Sequence, residues 1–332
     1  MLFCDPRHPY ALPVRTPELP TSKADYLRGG MSRVQGWLNA STAVYMTSLE
    51  VLQRQVGVHG DVCEIGVHHG KSYLTMAIGL PAGERGVAID VFGDQAANLD
   101  SSGKGDQDAF EGHLDRLGLR DSTDVVASSS LALEEQGFLE AGRRFRMFSV
   151  DGGHTAEVAR NDLELAERTL VDDGVVILDD VLNRHWLGVI SGLFDYWHAG
   201  GSLVPAVLIP DRLVLTRSAG QAAEYRKLMD ATFAGAQEKT GVPLGPGTVD
   251  VYWQASWVVR DDEGGEELLP GPGHALPKEE PMLHVPESYL RRLEEQLHAP
   301  LSRELARRYP VLATVARPVA RPMRRLARRM KR

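Results

Sequence analysis

From Asp61 onward the chain alternates short apolar runs with amphipathic stretches five times over, and that alternation limits the folds open to it. Residues 61–66, 86–91, 123–128, 145–150 and 174–178 read as strands. Residues 71–79, 106–117, 131–141, 156 to about 171, and 187–198 read as the helices that follow them. Such an order predicts an α/β fold with a parallel sheet covered by helices on both faces. Residues 203–209 and 212–216, joined by Pro210-Asp211, predict an antiparallel hairpin at the sheet edge. Upstream, residues 1–25 are rich in proline and read as an irregular arm, and helical periodicity runs from about Ser32 to Leu52. Downstream, a helix over 221–233 and an aromatic strand over 249–258 precede a loop containing Gly264, Gly265, Pro270, Pro272 and Pro277. The expected parts are an arm (1–50), a core domain (51–217), an extension (218–300) and a tail (301–332).

Charge narrows the partners. The formal net charge is −8, yet residues 303–332 carry eleven Lys and Arg against the single acid Glu304, so the remainder is strongly acidic. An acidic body does not suit a phosphate-backbone binder, and no nucleic-acid partner is expected. In the tail, Leu312, Val315, Val319, Met323, Leu326 and Met330 recur at three- and four-residue steps among arginines. That is the pattern of a basic amphipathic helix for an anionic membrane surface, although Pro318 and Pro322 interrupt it. A solvated tail lying on the acidic body is the plainer alternative. No run approaches the ~20 apolar residues of a membrane span. The N-terminus lacks the basic-then-apolar pattern of an export signal, so a cytoplasmic protein is expected. Two cysteines, Cys4 and Cys63, cannot build a disulfide scaffold, and Cys63, inside an apolar strand, reads as a packing thiol.

The first strand runs into Glu64-Ile65-Gly66-Val67-His68-His69-Gly70-Lys71-Ser72. Glycines at a strand-to-helix turn let the backbone approach a ligand at the carboxyl edge of the sheet; a tight turn with no ligand would use them too. A dinucleotide fingerprint would need glycine at 68. A phosphate loop would need glycine at 65, where the chain has Ile, although Gly70-Lys71-Ser72 and the acids after 175–178 imitate such an enzyme. Glu64 would also place negative charge near the phosphates, so a P-loop-like nucleotide hydrolase is the weaker reading. The second strand ends at Asp90, where an acid can hold ribose hydroxyls. A glycine turn and a ribose acid without a phosphate cradle point to S-adenosylmethionine.

With Glu64-x-Gly66-x-x-x-Gly70-Lys71-Ser72, Asp90, Asp151-Gly152-Gly153-His154 and Asp179-Asp180, the sequence resembles class I S-adenosylmethionine-dependent methyltransferases over about residues 36–217. It is most similar to the metal-dependent sugar O-methyltransferases of macrolides and aminocoumarins, and to the cephalosporin-hydroxylase and rhamnosyl O-methyltransferase-like group. The resemblance implies a Rossmann-like, doubly wound, mostly parallel seven-stranded sheet of order 3-2-1-4-5-7-6. It also implies a small-molecule or glycoside acceptor and a homo-oligomer. Glu64, Gly66, Gly70, Ser72, Asp90 and Asp151 would hold the cofactor, with Ser129 and Ser130 at its adenine.

A second group lies at the ends of the fourth and fifth strands. Asp151, Asp179 and Asp180 would repel one another unless a cation lay between them, and oxygen ligands suit Mg²⁺ or Mn²⁺. Such an ion lowers the pKa of a coordinated hydroxyl. His154, three residues after Asp151, is the candidate general base, a part that the resemblance also gives it. His185 and Trp186, like His68 and His69, could line an acceptor pocket, though each alone reads more readily as a loop residue than as a catalyst. The polar insertion 98–106 is either a lid or a plain connection. A non-catalytic methyltransferase-like scaffold, recruited to a membrane by the tail, is the remaining alternative.

Overall fold

The computed structural model describes residues 21–134, 137–139, 141–253, 255, 257–260 and 266–269. The chain divides into two units, 1–277 and 278–332, and every described residue belongs to the first. The basic tail and most of the Pro/Gly-rich loop therefore lie outside the described residues.

After a short helix α1 (Thr21–Asp25), a π-helical turn (Tyr26–Gly30) and a 3-10 turn (Met31–Arg33) comes α2 (Ala40–Gln55), which begins where Asn39 accepts the Ser41 N–H at 2.8 Å. The alternation then follows as β1 (Asp61–Ile65), α3 (Tyr73–Ala77), β2 (Gly86–Asp90), α4 (Gln107–Leu117), β3 (Thr123–Ala127), β4 (Phe145–Val150), α5 (Ala156–Thr169), β5 (Leu170–Asp179) and α6 (Leu187–His198). Local chemistry sets several ends: Asp106 caps α4 through the Ala109 N–H at 2.9 Å, and Gly118 closes it at φ 67°. Those are the oxygen cap and left-handed glycine stop that helices favour. The hairpin β6 (Val204–Ile209) and β7 (Arg212–Thr216) adds the antiparallel edge.

The sheet has nine strands in the order β3-β2-β1-β4-β5-β7-β6-β9-β8, so the expected order 3-2-1-4-5-7-6 is present and extended by two. After α7 (Ala219–Phe233), β8 (Gln237–Leu244) and β9 (Gly247–Tyr252) form a hairpin whose second strand runs parallel to β6. The segment Gln-Glu-Lys-Thr-Gly-Val-Pro-Leu of β8 has no apolar alternation because it is an exposed edge, where charges, Gly and Pro discourage further pairing. The aromatic strand expected over 249–258 is thus two strands, β9 and β10 (Trp257–Arg260), the latter paired with β11 (Glu266–Leu269). The helix expected over 131–141 is a short 3-10 turn, Ser130–Ala132, followed by further turns. Gly137, at φ 76°, breaks the helical path there.

Side-chain alternation along the strands sorts the core into two layers. Val62, Met147, Ile177 and Val214 pack with residues of α2, α3 and α7, whereas Cys63, Phe148, Val176 and Leu213 pack with α5 and α6. Cys63 is a free, buried thiol. Glu64, Ser149, Asp151, Asp179 and Arg212 fall on the same side as the first layer, at the carboxyl edge of β1, β4 and β5 and the start of β7. The opposite edge is tied by a buried ion network, Lys23–Glu50–Arg146–Glu84, with contacts of 3.0, 2.7 and 2.9 Å. Among the described residues no helix is long and apolar enough to cross a membrane.

Candidate active site

The turn after β1 needs its glycines. Gly66 sits at φ 86°, and a Cβ there would fall 1.6 Å from the Asp151 carbonyl oxygen. Gly70, at φ 92°, lies against the Phe110 ring. Asp90 holds the loop from beside: Oδ2 accepts the His68 N–H at 2.7 Å and Oδ1 the Phe92 N–H at 2.6 Å. A carboxylate offers about four acceptor directions, so two remain for another ligand. Lys71 is buried and donates to the Gly36 carbonyl at 2.7 Å. That ties the lysine to the arm, against the P-loop reading. Ser72 is buried, its hydroxyl toward the Met46 sulfur. His68 and His69 face each other, Nδ1 to Nδ1, at 2.8 Å, and His68 lies beside Trp37. Burial and the neighbouring His69 lower the His68 pKa to about 4, so that ring stays neutral.

Ser128, Ser129 and Ser130 follow β3 beside Asp90, with the Ser128 N–H on the Asp90 carbonyl at 3.0 Å. Beyond them lies Asp162 of α5, fully buried, with Oδ2 unpartnered and packed under Gly152. Burial pushes its pKa up to about 6, against the opposing bonds from Ser130 and Asn161. A raised carboxyl pKa means that the native state holds the proton more tightly, so stability falls as pH rises from about 4 through 6. Asp162→Asn is therefore expected to stabilise the protein by about 2–3 kcal/mol at pH 7. In urea denaturation the gain should vanish by pH 4; an equal gain at both pH values would exclude ionisation as its cause.

The acids at the strand ends have a cation of their own. Arg212, fully buried and opposite Asp179 in the β5–β7 register, places one terminal nitrogen 2.8 Å from Asp151 Oδ2 and 2.8 Å from Asp179 Oδ2. Its other terminal nitrogen donates to Ser149 Oγ at 3.0 Å, and Ser149 donates to Glu64 Oε1 at 2.9 Å. Glu64 Oε2 is buried without a partner. Burial raises the pKa values of Glu64, Asp151 and Asp179 even though Arg212 opposes it, so the nest has more acid than one guanidinium balances. The expected ligand set Asp151, Asp179 and Asp180 is not the set brought together. One ligand atom each from Asp151, His154 and Asp180 lies within 4.8 Å of the others, while Asp179 is turned to Arg212.

His154 is held on every side. Nδ1 is 2.8 Å from Asp100 Oδ2, Nε2 is 3.0 Å from Asp180 Oδ2, and Trp186 stacks on the ring at 4.2 Å between centroids. Gly188, at the start of α6, lets that helix approach the His154 carbonyl. Burial alone would lower the His154 pKa, but the carboxylates of Asp180 and Asp100 outweigh it and raise the pKa above its ordinary value. Asp180 itself adopts φ 57°, a strained conformation for aspartate. His185, by contrast, is exposed and beside Arg184. Arg212 and Asp100 are absent from the sequence-based set. An arginine opening an otherwise apolar strand was a usable signal for the first; nothing local marks the second.

Residues 63–181 match the family model of a methyltransferase domain. No curated protein matches the chain. Among solved structures the chain is similar to an O-methyltransferase from Bacillus cereus in complex with SAH (16% identity, 58% of this chain and 89% of that one, TM-score 0.42). It is similar also to CalS11, a TDP-rhamnose 3'-O-methyltransferase of calicheamicin biosynthesis (16%, 61% and 96%, TM-score 0.40). A third is the O-methyltransferase NovP (13%, 54% and 81%, TM-score 0.45).

Proposed function

We propose that the chain methylates a hydroxyl oxygen of a small hydroxylated acceptor, a glycoside in the first instance, using S-adenosylmethionine; the match of residues 63–181 to a methyltransferase-domain model and the strand order of the sheet support this reading. The observation that carries this reading is His154, set between Asp100 and Asp180 at the same sheet edge as the Gly66 turn. The residues fit the cofactor: the Gly66 turn offers a backbone approach that a Cβ would fill, and the unpartnered Glu64 Oε2 with its acidic neighbours suits a ligand carrying positive charge. When bound, that cofactor supplies a methyl group activated by its sulfonium.

The chain does the rest by placement and by holding a proton. Asp90 keeps the turn open and has acceptor capacity left for ribose hydroxyls. To take the acceptor hydroxyl's proton, His154 Nε2 must first part from Asp180, which holds it at 3.0 Å; the imidazolium then formed lies between two carboxylates that stabilise it. Trp186 and the turn at Asp180 fix the ring in place.

Arg212 takes one oxygen of Asp151 and one of Asp179, and a divalent cation finds no cluster in which Asp151, Asp179 and Asp180 come together. It fits Asp151, His154 and Asp180, where it would lower the hydroxyl pKa. Both ring nitrogens of His154 are engaged, Nδ1 by Asp100 and Nε2 by Asp180, and Nε2, once released from Asp180, would serve either a metal or a proton.

Calorimetry with S-adenosylmethionine, followed by mass spectrometry of hydroxylated acceptors for one added methyl, tests the proposal. Micromolar binding and a methyl ether are expected; no binding overturns it. Turnover that persists in excess EDTA assigns Nε2 to the proton, whereas loss restored by Mn²⁺ assigns it to the ion.

A further inference from the structure

The three most exposed leucines among the described residues are Leu99, Leu182 and Leu187, at 57%, 61% and 62% exposure. They come from different loops, and each lies within two residues of a group that holds the His154 ring. Leu99 precedes Asp100, whose Oδ2 stands 2.8 Å from His154 Nδ1. Leu182 comes two residues after Asp180, whose Oδ2 stands 3.0 Å from Nε2. Leu187, the first residue of α6, lies between Trp186, stacked on the ring, and Gly188, packed against the His154 carbonyl. Consecutive Cα atoms are about 3.8 Å apart, so each leucine starts less than about 8 Å from a residue that touches His154.

The loops that carry these side chains are braced from within. Asn183 closes the turn around Leu182, donating its N–H to the Asp180 carbonyl at 3.0 Å and its Nδ2 to Asp180 Oδ1 at 2.8 Å. Asn98 frames the turn around Leu99, with Nδ2 donating to the Ser102 and Gly103 carbonyls at 2.9 and 3.0 Å. Gly103 in turn abuts the exposed indole of Trp37, where a Cβ would stand 3.1 Å away. Single exposed leucines are ordinary on a protein surface, but a group of them around one polar centre is the signature of a ligand site. The exposed Val56 and Leu117, which end α2 and α4 ahead of β1 and β3, stand at the opposite edge of the sheet.

We propose that Leu99, Leu182 and Leu187 form an apolar rim that binds the aglycone of the acceptor: the substrate is an uncharged amphipathic molecule, a hydroxylated head carried on an apolar body. The inference rests on the methyltransferase reading of the His154 site and names the other half of its substrate. The three loops enclose the ring, so a hydroxyl in contact with it brings whatever carries it up to their leucines. Covering those side chains is favourable in proportion to the apolar area taken out of water. Charge and position decide against other occupants. Asp151, Asp179 and Asp180 gather at the same sheet edge with one guanidinium among them, so an anionic body would be repelled. The acidic protein body disfavours an anionic lipid surface for the same reason. A second copy seated on the rim would close the approach to His154.

The test measures binding of methyl and octyl β-glucosides to the full-length protein by calorimetry, with and without S-adenosylhomocysteine and below the micelle concentration of the octyl compound. The octyl glucoside should bind about 10²-fold more tightly than the methyl one, as burying roughly half of its additional chain would give. Leu99→Ser, Leu182→Ser and Leu187→Ser should each cut that preference about fivefold, the loss of roughly half of a leucine's burial. The triple serine variant should abolish it at an unchanged thermal midpoint. Methionine at the same three positions should keep the preference, and so should Val56→Ser combined with Leu117→Ser. Equal binding of the two glucosides overturns the proposal, as does a preference that survives the triple variant. A dimer that the triple variant dissolves, seen by sedimentation, gives the rim to a second copy; phosphatidylcholine-vesicle binding lost in that variant gives it to a lipid surface. Either result overturns the proposal. If S-adenosylhomocysteine does not bind and no acceptor is methylated, the methyltransferase reading fails, and the glucoside ratio still decides the rim.

Discussion

His154→Ala is expected to lower kcat by roughly 10²–10⁴-fold, the usual contribution of a positioned general base, while S-adenosylhomocysteine binds with nearly unchanged affinity. The separation follows from where the groups sit. The Gly66 turn, Glu64 and Asp90 are organised by the turn's own backbone bonds and by Ser149, none of which passes through His154. The His154 ring meets Asp100, Asp180 and Trp186. Loss of the ring leaves two carboxylates without the group between them, so some local loosening should accompany the loss of rate. Added imidazole should restore part of the activity, because the cavity left between Trp186 and the two acids has the shape and charge of the missing ring. Calorimetry and steady-state rates on one preparation make the check. A variant that keeps wild-type kcat removes His154 from the chemistry.

How far the sequence led depended on the range of the interaction. β4, α6 and β7 occupy the segments read from periodicity alone, since each has strong local alternation and clear turn residues at its ends. Gly66, Asp90, Asp151, His154, Asp179 and Asp180 all lie at carboxyl ends of strands, because the βα alternation dictates which end of each strand faces the site. β8 escaped notice for the opposite reason: an edge strand with one exposed face carries charges, Gly and Pro, the composition of a loop. The site was legible as positions and illegible as partnerships. Repulsion among the strand-end acids calls for a cation, and the chain brings a guanidinium to Asp151 and Asp179 from β7, 33 residues beyond Asp179. Asp100 is legible only as part of the polar insertion 98–106, since its partnership with His154 appears only when that insertion folds back across the sheet edge.

Arg212→Met should destabilise the protein by about 3–5 kcal/mol, the cost of breaking a buried ion pair from one side. Arg212 is fully buried, and its terminal nitrogens serve Asp151, Asp179 and Ser149, with Glu64 3.9 Å away. Methionine fills much of the volume but leaves three acids with raised pKa values and no counter-charge. Adding Asp179→Asn to the variant should recover part of the loss, because the pair removed together leaves less unpaired charge than either removal alone. The same experiment separates an internal guanidinium from a metal as the resident cation. In the wild type the oxygens of Asp151 and Asp179 that face Arg212 are not open to an ion, so any rise of the midpoint with Mg²⁺ or Mn²⁺ should come through His154 and Asp180 and be lost in His154→Ala. In Arg212→Met the vacated nest of hard oxygen donors should bind the ion, and the midpoint should rise with its concentration as linkage requires. Urea denaturation of the single and double variants, and thermal scans with and without Mn²⁺, measure all of this. A single variant as stable as the wild type, or one indifferent to Mn²⁺, would show that the acids of β1, β4 and β5 are neutral in the folded protein and need no cation of either kind.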